Sequence, residues 1–119
     1  MTDHVLTVSP QHPAPGVLVL VVDGELDHHT APLLAAALDE RAFAPGGRLV
    51  LDCAALTYCD STGVTVFVTA YQRALATGCR LALAAVNEDL ARVFRIMGLD
   101  GVFTFVPAAG DALRESDDR

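Results

Sequence analysis

Two hydrophobic periods alternate along this chain. Val17-Leu18-Val19-Leu20-Val21-Val22 is an unbroken apolar run of strand length, apolar on both faces, and it predicts a central strand. Before it, Val5, Leu6 and Val8 predict a short first strand. Ser9-Pro10-Gln11-His12-Pro13-Ala14-Pro15-Gly16 closes that strand off, because its three prolines exclude regular structure. Asp23-Gly24-Glu25-Leu26-Asp27 ends the central strand. Thr30 then stands as a helix N-cap with Pro32 in the first turn; Leu34, Ala37, Leu38 and Arg41-Ala42 carry the helix to about Phe43, and Ala44-Pro45-Gly46-Gly47 stops it.

Leu49-Val50-Leu51 is a second doubly buried strand, with Asp52 at its end; a short loop follows and a helix starts at Asp60-Ser61. In the next segment propensity and period disagree. The β-branched Val64, Thr65, Val66, Val68 and Thr69 favour a strand, whereas Val64, Phe67, Val68, Tyr71 and Leu75 fall at helical spacing. Length and the stop at Gly78 decide for a helix over Val64–Leu75. Arg80–Ala84 is a strand, and Asn87 caps a helix over Asn87–Met97 whose Leu90, Val93, Phe94 and Met97 share one face, ended by Gly98. Val102–Val106 is a last strand, Asp111–Glu115 a short helix, and Ser116–Arg119 a frayed tail. Strand, helix, strand, helix, strand, helix, strand implies a single α/β domain over residues 1–119 with a mixed, mostly parallel sheet.

Charge narrows the function. The formal net charge is −7, all eight basic residues are arginine, and no basic cluster is present, which argues against nucleic acid and anionic membrane surfaces. No apolar run reaches the roughly 18–20 residues of a membrane span. Met1-Thr2-Asp3-His4 lacks the basic start of a signal peptide, so a cytoplasmic location without membrane insertion is expected. Cys53, Cys59 and Cys79 lack C-x-x-C spacing and read as small core residues rather than a disulfide or zinc framework. His28 and His29, adjacent in sequence, would point apart on regular structure and share no metal.

The chemistry concentrates at Cys59-Asp60-Ser61-Thr62-Gly63, an acid, two hydroxyls and a glycine at a helix N-terminus, where free N–H groups and the helix dipole favour anions. An ordinary N-cap explains the same residues. A phospho-acceptor receiver domain using Asp52 would need a lysine near the last strand, and the chain has none. A hydrolase elbow would need glycine where Cys59 stands, and Asp27 and His28 are chain neighbours, an awkward carboxylate–imidazole geometry. Neither G-x-G-x-x-G nor a Walker motif occurs, so no cofactor is implied.

Gly24-Glu25-Leu26-Asp27-His28-His29-Thr30-Ala31, followed by Leu51-Asp52-x3-Leu56-x3-Asp60-Ser61-Thr62-Gly63, resembles the STAS domain, and more closely the bacterial anti-sigma factor antagonists. The resemblance covers about residues 5–113. It implies a STAS-like sheet of four to five strands with about four helices mainly on one side. It also implies a partner-switching binding module rather than an enzyme. The unphosphorylated form binds an anti-sigma factor, a serine kinase of the GHKL type, and frees the sigma factor. Phosphorylation at Ser61 releases the complex, and a PP2C-type phosphatase resets it. On this reading Asp60 orients Ser61, contacts the partner or merely caps the helix; Thr62 is a second acceptor or a solvated first-turn residue. Asp27 meets the kinase site or shapes its loop; Gly63 allows close approach of the partner or of a neighbouring strand. Val64 and Val66 supply apolar contact or join the core. The alternative is a STAS accessory subunit of a larger assembly, lipid-transporter or stressosome-like.

Overall fold

A computed structural model describes residues 5–111. Six strands form one sheet: β1 (Leu6–Ala14), β2 (Val17–Leu26), β3 (Arg48–Asp52), β4 (Leu56–Cys59), β5 (Arg80–Ala84) and β6 (Thr104–Val106). The order is β1-β2-β3-β5-β6, with β1 antiparallel to β2 and the other pairings parallel. β2 is an interior strand, as its doubly apolar run requires, although β3 holds the middle of the order. β2 pairs with β3 through Val17–Val21 and then, farther along, with β4 through Gly24–Leu26. The helices are α1 (Ala31–Ala37), a 3-10 helix (Glu40–Phe43), α2 (Ser61–Thr77) and α3 (Glu88–Ile96).

The strands bury alternate residues on opposite faces. Leu20, Val22, Leu49, Leu51 and Leu83 share the main core with Leu34, Phe43, Phe67 and Phe94 from the helical elements. Val17, Val19, Val50, Ala82, Ala84 and Val106 form a smaller cluster on the reverse face. At one end of the main core Phe94 meets Phe103 at 5.1 Å, Phe105 at 5.7 Å and Phe67 at 6.0 Å between ring centroids.

The structure corrects several sequence expectations. β1 runs through Pro10 and Pro13 instead of stopping at Ser9. Prolines are tolerated there because β1 is an edge strand, and the ladder shifts register between Gln11 and Ala14, where Pro13 sits. β2 continues past Val22 to Leu26, and the loop before α2 contains β4, so the strands number six rather than four to five. The helix expected to run to Phe43 breaks after Ala37. The Asp39 carboxylate accepts from the Arg41 N–H at 3.0 Å and caps a separate 3-10 turn. Arg73 of α2 fills the break, donating to the Leu38 carbonyl while its guanidinium lies 5.0 Å above the Phe43 ring.

The helix over Val64–Leu75 is present, within the longer α2, but its buried line is Gly63, Val64, Phe67, Ala70 and Ala74. Leu75 is 65% exposed, because the contact line tracks small residues one position earlier, where the helix approaches its neighbours closely. Met97 lies just past α3 and is exposed. β6 is shorter than Val102–Val106, the Leu99–Val102 turn taking up its start. Residues 109–111 begin a helical turn; the rest of the expected Asp111–Glu115 helix and the tail lie outside the described residues.

Two substitutions test this packing by urea denaturation. Phe94→Ala should cost about 3–5 kcal/mol, the usual range for a buried aromatic. At Gly63 an added Cβ would stand 2.6 Å from the Cys59 sulfur and 2.7 Å from Leu26 Cγ. Overpacking costs about 1–3 kcal/mol, against about 1 kcal/mol gained in helix propensity, so Gly63→Ala should lower stability. An alanine variant as stable as the parent would contradict this packing.

Candidate functional site

The ends of β2 and β4 build the site. Leu26 pairs with Cys59, and the Asp60 N–H donates to the Leu26 carbonyl at 3.1 Å, delivering the chain to the start of α2. Asp60 is the N-cap: its extended backbone turns into the helix while Oδ1 accepts from the Gly63 N–H at 3.1 Å. Its carbonyl accepts from Val64 N–H at 3.0 Å. Gly63 is buried against Leu26 and Cys59, so it serves the approach of neighbouring strands. Val64 belongs to the core and Val66 is half-buried.

Ser61 and Thr62 are exposed in the first turn. Among the described residues the Ser61 hydroxyl makes no hydrogen bond; only its backbone carbonyl is used, accepting from Thr65 Oγ1 at 3.0 Å. The serine thus contributes nothing through its side chain to the cap that holds the helix.

Asp27 follows Leu26 and is 5% exposed. Its Oδ1 accepts from the His29 N–H at 2.9 Å and the Thr30 N–H at 3.0 Å, and its carbonyl accepts from Ala31 N–H at 2.7 Å. These bonds shape the turn into α1. Thr30 occupies the expected N-cap position without capping: its hydroxyl points back, donating to the Glu25 carbonyl at 2.7 Å and accepting from Asp27 N–H at 2.9 Å. The turn also corrects the histidine expectation. His28 and His29 are not on regular structure, and their rings lie 4.0 Å apart between centroids. No hydrogen bond joins His28 to Asp27 or Ser61 among the described residues, so the triad geometry is not formed there.

Acidic side chains gather at one end of the sheet. Asp23, Glu25, Asp27, Asp52, Asp60, Glu88 and Asp89 lie at or just beyond the carboxyl ends of the strands. Arg48 and Arg80 open β3 and β5 in register at the opposite end. Beside the serine, sequence reasoning missed a groove of about 250 Å³ between β4 and α3, lined by Leu56, Thr57, Tyr58, Cys59, Asn87, Asp89, Leu90 and Val93. Its one available signal was the strand-forming pair Thr57-Tyr58. Asn87 fastens the groove: Nδ2 donates to the Leu56 carbonyl at 3.1 Å while Oδ1 caps α3 by accepting from Leu90 N–H at 2.8 Å.

Cys53 and Cys79 are buried, Cys59 is half-buried, and all three are free. Burial pushes the Cys59 thiol up to about 12, with the Asp60 carboxylate adding to it. Burial also pushes Cys53 to about 12, reinforced by Asp52 and Cys59. A raised thiol pKa favours the neutral form, so this contribution to stability is present below the free value near 9 and is lost as pH rises toward 12. At pH 8 the thiolate fraction at each should be roughly a thousandfold below that of a free cysteine. Ellman's reagent should therefore react slowly with the native protein and rapidly after unfolding in guanidinium; a fast native phase of one thiol per chain would contradict it.

Among the described residues no helix is long and apolar enough to cross a membrane. Residues 11–112 match the STAS domain family. The anti-sigma-B factor antagonist of Listeria monocytogenes is 33% identical over 92 residues, covering 77% of this chain and 81% of that protein. An anti-sigma factor antagonist from Mycobacterium paratuberculosis superimposes with a TM-score of 0.77 at 28% identity, covering 93% of each chain. The fold also matches SpoIIAA: the unphosphorylated form at a TM-score of 0.78 and 20% identity (95% of this chain, 98% of that one), and the phosphorylated Bacillus form at 0.73 and 21% (92% and 99%). A match spanning most of the chain, on the sheet that carries the Asp60-Ser61 helix start, makes this protein a member of the STAS domain family, similar to the anti-sigma factor antagonists.

Proposed function

We propose that this protein is an anti-sigma factor antagonist switched at Ser61. Unphosphorylated, it binds an anti-sigma factor that is a serine kinase of the GHKL type and frees the sigma factor; phosphorylated at Ser61, it lets go; a PP2C-type phosphatase restores it. It catalyses no reaction itself. Ser61 is the kinase's substrate, and the base that activates it comes from the kinase. The observation that carries this reading is the exposed, unbonded Ser61 hydroxyl at the N-terminus of the 17-residue α2. A kinase can reach it without dismantling a hydrogen bond. SpoIIAA, which shares the fold, is known in both unphosphorylated and phosphorylated forms, and the proposal extends that pair of states to this chain.

The physics of the modification suits a switch. A phosphate brings about −1.5 to −2 charges to a helix N-terminus, where the dipole contributes roughly 0.3–1 kcal/mol in its favour. Folding therefore tolerates it. Re-entering an interface requires stripping water from that charge, which costs several kcal/mol unless the partner supplies matched donors. Thr62 is a solvated first-turn neighbour in this scheme. Asp27 and Gly63 act by holding the loop and the helix start in place.

Incubation with the cognate anti-sigma kinase and ATP should add one phosphate per chain, read by intact mass, and Ser61→Ala should abolish it. Ser61→Asp should weaken kinase binding at least tenfold, about 1.4 kcal/mol, while the melting temperature moves by less than about 4 °C. Full-stoichiometry labelling of Ser61→Ala would move the acceptor elsewhere, and a large thermal loss in Ser61→Asp would make the residue structural.

A further inference from the structure

We infer that the groove between β4 and α3 receives a basic segment of the anti-sigma factor, an arginine or lysine beside an apolar side chain, and selects the partner independently of the Ser61 switch. This rests on the reading above that the partner is an anti-sigma factor.

The groove has an apolar floor and one carboxylate, Asp89, on its lining. Leu56 and Leu90 are buried and Val93 is half-buried beneath it, while Tyr58 on its wall is 50% exposed. Its neutral polar groups are already engaged: Thr57 Oγ1 donates to the Gly24 carbonyl at 3.0 Å, and both ends of the Asn87 amide are bonded. Two side chains on the lining are left over. Asp89 and Tyr58 make no hydrogen bond or ion pair among the described residues. A carboxylate and an aromatic ring beside an aliphatic floor match a cation on a flexible stem: the stem lies on the apolar surface, the charged head pairs with the carboxylate, and an aromatic face adds cation–π attraction. Glu88 and Asp60, chain neighbours of the lining residues Asp89 and Cys59, carry the same sign of charge, and no arginine lines the groove. An acidic segment is therefore rejected and a basic one attracted.

The groove lies close to the switch in the chain. Cys59 on its wall stands two residues before Ser61, so a segment seated there brings its own protein against the α2 N-terminus. A second copy of this chain is the competing occupant, because Arg48 and Arg80 lie at the far end of the sheet and could reach an acidic groove head to tail.

The test is equilibrium binding of the cognate anti-sigma factor to the full chain and to Asp89→Asn, Asp89→Arg and Tyr58→Ala, across a salt series, with sedimentation for self-association. Asp89→Arg should weaken binding at least tenfold, Asp89→Asn by less, and both should flatten the salt dependence; Tyr58→Ala should weaken binding with little change in salt slope. All three should remain phosphorylatable at Ser61 when the kinase is in excess, which also shows that they fold. If the parent protein does not bind the anti-sigma factor at all, the proposed function itself fails. If the parent binds and Ser61→Asp weakens it, but Asp89→Arg and Tyr58→Ala bind like the parent, only the groove assignment fails. Salt-dependent oligomers of the parent that Asp89→Arg abolishes, with anti-sigma affinity unchanged, would give the groove to a second copy and overturn the inference.

Discussion

One residue, Leu26, joins the sheet to the helix that carries Ser61. Its backbone pairs with Cys59 in the β2–β4 ladder, its carbonyl takes the Asp60 N–H, and its side chain fills the space that a Cβ on Gly63 would need. The β2 strand thereby reaches beyond β3 and acquires a second parallel partner. Asp27, the next residue, begins the turn into α1 with its carboxylate bonded to backbone. Two loops that are more than thirty residues apart in sequence are fixed against each other by this junction. β4, only four residues long, takes its pairing from the far end of the ten-residue β2.

What could be read from the sequence was what local chemistry determines. Asp60 and Asn87 cap their helices through their own carboxyl and amide oxygens, and Gly78 and Gly98 adopt the left-handed conformation that ends a helical run. The apolar pattern alone gives β5 at its observed limits and the interior place of β2. The misses share a different cause. Whether Pro10 and Pro13 can sit in a strand depends on whether that strand is an edge, which nothing near them encodes. β4 is stabilised by the far end of β2, and the helix break at Leu38 by Arg73, thirty-five residues away. Thr30 departs from its expected cap for another reason: a hydroxyl both donates and accepts, and here it serves the preceding turn.

The same division applies to the candidate site. That a serine stands at the start of a helix was legible from Asp60-Ser61 and the downstream period. That Asp27 is buried in backbone hydrogen bonds, and that an acidic groove opens beside Cys59, emerges only when β2, β4 and α3 are brought together. Sequence motifs name the residues that a site shares with its relatives; the surface around them follows from the packing of the particular chain.

The acidic character of this end of the molecule constrains how phosphorylation at Ser61 could act. If long-range repulsion released the partner, that partner would have to carry negative charge, and it would already be disfavoured by Asp52, Asp60, Glu88 and Asp89 before any phosphate arrived. A basic partner fits that field better. Toward such a partner, added negative charge strengthens attraction at a distance, so on the proposed reading release has to arise at contact. The phosphate is bulky and strongly hydrated where Ser61 offers a small unbonded hydroxyl, and a surface shaped for the hydroxyl neither accommodates it nor replaces its water. The two effects then separate by kinetics. Encounter rates with a basic partner should be preserved or raised by the phosphate and remain salt-sensitive, whereas the lifetime of the bound state should collapse, because desolvation and fit govern dissociation. A helix start whose cap is supplied by Asp60 can bear this change, since the group that is modified is not the group that holds the helix.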